Sequence, residues 1–409
     1  MLNFLSSRES GIDDPNLLRG YESTKRAVSL ELSKHRDVER VHYGGVNSLD
    51  LDVVESRYLL SGTTDGTVHI HDTVNLTGDV KFTLKALANV SRSNKHKHKH
   101  SVETVQWYPL DSGMFLSSGG DKQLKVWDTN SMVPVDEYEF KGIIYSHHMS
   151  AIAVKHSLVA AGCHSSSLQL VDLKSGSASH MLKGHQGSIF SVKWSTRDEF
   201  LLASGSADNR ILLWDIRSSK GPMMHLDQHN GLESDNYFDG CTSHGGYVNG
   251  LCFTQNGLHL LSYGTDNRLR LWNTTTGQNT LVNYGRIRND SKKCVQFSVF
   301  NGSRTNFVFV PEASNIKVFD MHNGNRLSIL RGHYTQVNCC KLHRDYQELY
   351  SGGNDCNILI WTPETDKAYD DHIKAQKREQ PASGRSERNS FVRRTGATND
   401  TWSSDEEES

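Results

Sequence analysis

The chain contains no long hydrophobic run. Nothing in its 409 residues approaches the about 18 consecutive apolar residues of a membrane-spanning helix. The first residues, MLNFLSSRESG, lack the apolar core after a basic start that marks a secretory signal. An excess of one charge is also missing. Forty-five Lys and Arg face 47 Asp and Glu, for a formal charge of −2, so no global field favours nucleic acid or an anionic membrane. Proline is scarce, at 7 residues. The 7 cysteines, Cys163, Cys241, Cys252, Cys294, Cys339, Cys340 and Cys356, are scattered without a C-x-x-C pair. That spacing argues against a disulfide framework and a structural zinc site. They read as reduced, mostly buried thiols of a cytosolic or nuclear protein. No G-x-x-x-x-G-K-[ST], G-x-S-x-G or H-E-x-x-H is present, and the 21 histidines have no nucleophile or paired carboxylates at diagnostic spacing. The expectation is a non-catalytic protein without a cofactor or metal.

What the chain does have is a repeat. His71-Asp72, Trp127-Asp128, Val171-Asp172, Trp214-Asp215, Trp272-Asn273, Phe319-Asp320 and Trp361-Thr362 close seven segments. Most intervals sit near the ~40–45 residues of a WD40 repeat, and two longer ones place insertions at roughly 74–97 and 218–243. Within a segment the pattern is strand, turn, strand, turn, strand. Segment four shows it best: SIFSVKW, FLLASGS, the turn Ala207-Asp208-Asn209, then ILLWD. Alternating apolar residues bounded by Gly, Asn and Asp predict short antiparallel strands. Each small sheet needs neighbours to bury both faces, which predicts an all-β, seven-bladed WD40 propeller.

A chemical register repeats on the same spacing. The sets His98, Ser117, Asp121, Trp127; His185, Ser204, Asp208, Trp214; His244, Ser262, Asp266, Trp272; and His333, Ser351, Asp355, Trp361 occupy matching positions. In WD40 propellers, which these residues resemble, such a set forms a buried hydrogen-bond relay, because buried polar groups must be paired. Its repetition in four segments argues for structure rather than for a serine-type triad. Segment one keeps His42, Ser61 and Asp65 but has His71 in the tryptophan place, and segments three and six have lost most of the set. The run KHKHKH at 95–100 reads as a solvated basic loop around the relay residue His98 rather than a metal site. Alternating lysines repel a dication, and no carboxylate or cysteine accompanies them.

The ends differ from the repeat. Residues 1–34 predict a helix-loop-helix arm. Asp13-Asp14-Pro15 starts its longer helix, and Leu17, Leu18, Tyr21, Ala27, Val28, Leu30 and Leu32 follow at roughly helical intervals. Residues 35–362 hold the propeller, and an extended segment around Asp37–His42 is expected to close blade seven as its outer strand, removing an open edge. From Pro363 the pattern is polar and predicts a disordered tail over 363–409, basic between Lys374 and Arg394 and ending TWSSDEEES. Ser403 and Ser404 before the acidic run fit an acidophilic kinase site. The basic stretch suits nuclear import, and Trp402 suits docking to a partner.

The strings SVETVQWYP (101–109), YSHHMS (145–150), VNGLCFT (248–254), GTDNRLRLWN (264–273) and WSSDEEE (402–408) carry a closer resemblance. With them the chain, over about residues 1–362 and its acidic end, resembles the Cockayne syndrome group A family of WD40 substrate receptors of cullin-4 RING ubiquitin ligases. The resemblance implies binding to the ligase's damaged-DNA-binding adaptor through the N-terminal arm and a Trp-Asp-x-Arg motif. Trp214-Asp215-Ile216-Arg217 matches that motif. The equivalent positions elsewhere are Val74, Asn130, Lys174, Thr275, His322 and Glu364, so Arg217 is the one arginine. Leu2, Phe4, Leu5, Leu17 and Leu18 are the implied apolar anchors, beside Trp214, Asp215 and Arg217. The family further implies a nuclear adaptor in transcription-coupled nucleotide excision repair at stalled RNA polymerase II, with the Cockayne syndrome group B ATPase as partner and no membrane or sequence-specific nucleic acid contact. The alternative is a WD40 scaffold that binds damaged DNA or chromatin directly. It needs a basic face with aromatics, and the basic runs here lie in the loop 92–99, with Lys95, Lys97 and Lys99, and in the tail.

Overall fold

A computed structural model describes residues 6, 8–11, 14–75, 81–218, 220–231, 241–301 and 305–363. Seven antiparallel sheets follow one another along the chain, six of four strands and one of three, and together they form a seven-bladed propeller. Their innermost strands are Val46–Leu51, Val102–Trp107, Ile144–Met149, Ile189–Trp194, Val248–Phe253, Ser298–Asn301 and Val337–His343, here blades 1 to 7. Blade 5 has three full strands, and its outer edge is reduced to the bridge of Trp272 with Asn279.

Tertiary packing overrides the usual in-out alternation in the second strands. Leu201–Ser206 is buried at five of six positions, because one face packs on the preceding blade and the other on the next. Glycine allows the sheets to meet. A Cβ on Gly205 would stand 2.7 Å from Val248 Cγ1 of the following blade, and Gly62, Gly162 and Gly352 meet Val105, Val192 and Val46 in the same way. Trp127, Trp194, Trp214, Trp272 and Trp361 are among the largest fully buried side chains, each worth roughly 1.5–3 kcal/mol or more of apolar burial.

The ring closes on the N-terminal chain, but not where the sequence pattern put it. Leu30–Leu32 is the outer strand of blade 7, paired Leu30↔Pro363, Glu31↔Thr362 and Leu32↔Trp361. The expected closing segment further on instead contributes Arg36–Val38 to a parallel pair with Phe82–Leu84, from the first insertion. The reason is burial. Leu30 is 4 % exposed in one core cluster with Trp361, whereas Val38 and Leu84 fill a separate cluster between blades 7 and 1. Leu30 and Leu32 are therefore strand residues, and the helix expected to include them ends earlier. Among the described residues there is one long helix, α1, Pro15–Val28. Pro15 stands at its first position, and Leu18 N–H bonds Asp14 O at 3.1 Å. Residues 1–5 and 364–409, with Leu2, Phe4, Leu5, Trp402, Ser403 and Ser404, lie outside the described residues.

Candidate functional site

The relays fix the loops of one face. In blade 4, His185 Nε2 meets Ser204 Oγ at 2.7 Å, and Ser204 Oγ accepts from Trp214 Nε1 at 2.7 Å. His185 Nδ1 lies 2.8 Å from Asp208, which also accepts from Gln186 N–H at 2.9 Å. The same geometry joins His98, Ser117, Asp121 and Trp127, His244, Ser262, Asp266 and Trp272, and His333, Ser351, Asp355 and Trp361. Burial pushes the Asp208 carboxyl up, but the His185 hydrogen bond and charge outweigh it and hold Asp208 below the ordinary carboxylate value. Local backbone helps, since the residue after each aspartate turns left-handed: Lys122 φ 66°, Asn209 66°, Asn267 62° and Cys356 62°. The arrangement resembles a hydrolytic triad only in its residue types. Each serine oxygen is 0 % exposed and committed to an indole, so no substrate reaches it.

Blade 1 breaks the pattern. Ser61 Oγ lies 3.4 Å from His42 Nε2, at the limit of a hydrogen bond. Asp65 turns to Thr67 Oγ1 at 2.8 Å and Arg92 at 3.0 Å. His42 packs instead on His69 and His71, with ring centroids 4.7 and 5.6 Å away. In the basic run, His98 is in its relay, and the His96 carbonyl accepts from Lys125 Nζ at 2.9 Å. No group of three or more metal-type side chains stands together among the described residues.

Every third strand starts at the relay face and ends at the opposite one, so Arg217, two residues beyond Ile211–Asp215, lies on the far face. Its guanidinium is held in place. Nε and Nη2 donate to Asp215 at 2.9 and 2.7 Å, and the plane lies over the Phe200 ring, 4.7 Å from its centroid. Two of five N–H groups are thereby used, and three point outward from a side chain that is 59 % exposed. The matching aspartates of other blades take different partners: Asp72 an arginine from an earlier loop, Asp172 the hydroxyl of Ser157. Trp214 is 1 % exposed. This corrects its expected place among the partner-facing residues: it serves the relay, and Asp215 serves to orient Arg217.

Helix α1 reaches that same far face. Its last residues pack on blades 6 and 7, with Ala27 1 % exposed and Val28 against the same cluster. Arg26 Nη2 bonds the Tyr346 carbonyl, in the loop between the first two strands of blade 7, at 3.2 Å. Leu17 and Tyr21, in its first half, are 53 % and 58 % exposed, and Leu18 is half-buried. An amphipathic helix with an uncovered apolar end and a preset arginine thus share one face, three blades apart.

The relay face carries residues that sequence reasoning left unnamed. A β-bulge near the start of the innermost strand of six blades lifts one residue out of the ladder: Asn47, Glu103, Tyr145, Phe190, Asn249 and Asn338. Tyr145, Phe190 and Tyr247 line up across blades 3 to 5, with centroids 4.8 and 6.0 Å apart. The signal was available as aromatic residues one place after the opening Ile of IYSHHM and IFSVKW, but a bulge is not visible in a period-2 pattern.

The model for "WD domain, G-beta repeat" matches residues 35–72, 91–128, 176–215, 238–273 and 324–362. These cover blades 1, 2, 4, 5 and 7, the ones that keep a relay or its remnant. WD repeat-containing protein ATCSA-1 of Arabidopsis thaliana is 33% identical over 433 aligned positions, covering 89% of this chain and 95% of that protein. Radiation-sensitive protein 28 of Saccharomyces cerevisiae is 23% identical over 67% of this chain and 56% of its own length. A ribosome biogenesis protein WDR12 homolog of Drosophila persimilis is 30% identical over 43% of this chain and 38% of its own. Matched almost end to end by the Arabidopsis protein and built on these repeats, the chain belongs to the WD40-repeat family that includes WD repeat-containing protein ATCSA-1.

Proposed function

We propose that this propeller is a non-catalytic, nuclear substrate receptor of a cullin-4 RING ubiquitin ligase, acting in transcription-coupled nucleotide excision repair. One observation carries the reading: α1, with Leu17 and Tyr21 uncovered, and Arg217, oriented by Asp215 and Phe200, lie on one face. That face meets the damaged-DNA-binding adaptor of the ligase. Leu2, Phe4, Leu5, Leu17 and Leu18 bury apolar area on it, and the three outward N–H groups of Arg217 meet carboxylates or carbonyls. The relay face, with Tyr145, Phe190 and Tyr247, then looks away from the adaptor toward the substrate. The partners there are the Cockayne syndrome group B ATPase and stalled RNA polymerase II, and Ser403 and Ser404 carry phosphate. The names of the relatives support the repair assignment. The mechanism is positional: holding a substrate beside a ubiquitin-loaded RING module raises its effective concentration.

The test is a pull-down on the purified adaptor with the intact chain, a chain lacking residues 1–28 and Arg217→Ala, each first shown folded by thermal melting. The shortened chain loses the adaptor, and Arg217→Ala weakens binding by about 1.5–3 kcal/mol, the value of charge-assisted hydrogen bonds. Equal binding by all three refutes the reading. The rival, direct binding to damaged DNA, requires a steep salt dependence that is lost on neutralising Lys95, Lys97 and Lys99.

A further inference from the structure

The central channel is ringed, one residue per blade, by Asp50, Gln106, His148, Lys193, Cys252, Ser298 and Lys341. Their equivalence follows from register, because each pairs with the same position of its second strand: Leu60, Leu116, Ala160, Ala203, Leu261, Phe309 and Tyr350. Most of the ring stitches neighbouring blades together. Asp50 accepts from Trp107 N–H at 2.9 Å and from Lys341 Nζ at 2.7 Å. Gln106 Oε1 accepts from Met149 N–H at 2.7 Å, and its Nε2 donates to Met149 O at 3.0 Å. Ser298 Oγ accepts from Leu342 N–H at 3.2 Å, and the Cys252 thiol donates to Phe253 O at 3.5 Å.

The exception is the side formed by blades 3 and 4. His148 Nδ1 accepts from Trp194 N–H at 3.0 Å, so the imidazole proton sits on Nε2. Lys193 Nζ, in the next blade, has neither a hydrogen bond nor an ion pair among the described residues. Both side chains are half-buried in the channel wall. On this side of the ring the groups left over are donors: three N–H on Lys193, one on His148 and those of Lys341 that Asp50 does not take. Burial and the Lys341 charge press the Lys193 ammonium below its ordinary value. The Asp50 carboxylate favours the Lys193 charge from a distance but is in contact with Lys341, so Lys193 has no anion of its own.

We propose that Lys193, His148 and Lys341 form a channel site for a single oxyanion group, a phosphate or a carboxylate. No co-reactant is involved, only binding by charge-assisted hydrogen bonds. The occupant is a free small anion, for which inorganic phosphate is the probe.

The experiment titrates the full-length protein with inorganic phosphate against potassium chloride at matched ionic strength, reading heat of binding and melting temperature. The wild-type chain shows saturable binding of one phosphate. Lys193→Met weakens it at least tenfold, Lys193→Arg retains it, and Lys174→Met, an exposed lysine outside the channel, leaves it unchanged. Each variant is melted in chloride alone, and Lys193→Arg keeps the test open if Lys193→Met does not fold. A second readout is alkylation of Cys252, which phosphate slows in the wild type and leaves unchanged in Lys193→Met. No saturable binding by the wild type, or equal binding by Lys193→Met, overturns the proposal.

Discussion

Ser204→Ala tests whether the relays are structural and how much each is worth. Ser204 is fully buried, and its hydroxyl serves two partners, Trp214 Nε1 and His185 Nε2, both at 2.7 Å. Alanine leaves the indole N–H without an acceptor and the imidazole nitrogen without a donor, where water does not enter. An orphaned buried group costs about 1–3 kcal/mol, so the pair predicts a loss of about 2–6 kcal/mol. The fold supplies its own control. In blade 1 the same position is Ser61, equally buried, but its contacts are 3.4 Å to His42 and 3.3 Å to the His69 carbonyl, and no tryptophan replaces His71. Ser61→Ala therefore costs under about 1 kcal/mol, since bonds at the edge of acceptable geometry contribute little. Urea denaturation followed by tryptophan fluorescence reads both, with the dependence on denaturant checked for constancy. Equal losses for the two variants, or a loss below about 1 kcal/mol for Ser204→Ala, would refute the reasoning.

Removing residues 1–28 leaves a stable propeller, whereas removing 1–34 takes away Leu30–Leu32 and opens blade 7; the longer deletion melts lower and aggregates, as scattering during the melt will record. Gly205→Ala, which drives a methyl to 2.7 Å from Val248 Cγ1, destabilises by about 1–3 kcal/mol in the same urea assay. Burial lowers the blade 1 imidazoles to about 2 for His42, about 3 for His71 and about 4 for His69, with repulsion from neighbouring imidazoles adding to it at His42 and His71. Protons therefore bind the unfolded chain first. Stability is full above the ordinary histidine value of about 6.5 and falls as pH drops from there toward 4. His71→Phe removes one of these protons and gives a shallower decline between pH 6.5 and 4; an unchanged slope contradicts the assignment.

Much of this was legible in the sequence for local reasons. The spacing of Trp-Asp pairs and the period-2 strands depend on each blade's own backbone, and the relay sets depend on pairing between residues at most 23 apart, as in His98 and Asp121. Such contacts recur at constant sequence separation, so a repeat exposes them. Asp14 and Pro15 likewise began α1 by rules internal to the helix. Leu30 and Leu32 were less readable, because two apolar residues in alternation fit a strand or the end of a helix. What decided between them was the free edge of Ile358–Pro363, which lies at the other end of the chain.

The sequence by itself determined the number of blades, the identity of the four full relays and the singularity of Arg217. Only the tertiary structure decided what those residues face. It turned Trp214 inward and Arg217 outward, three positions later and just past the same strand's end, with Asp215 fixing the guanidinium. It also brought α1 to the face that Arg217 occupies, and it set His148, Lys193 and Lys341 around one channel although they are far apart in the chain. The physical reason is closure. Once seven sheets form a ring, residues at one strand position converge on the axis, and no local pattern records which charges meet there.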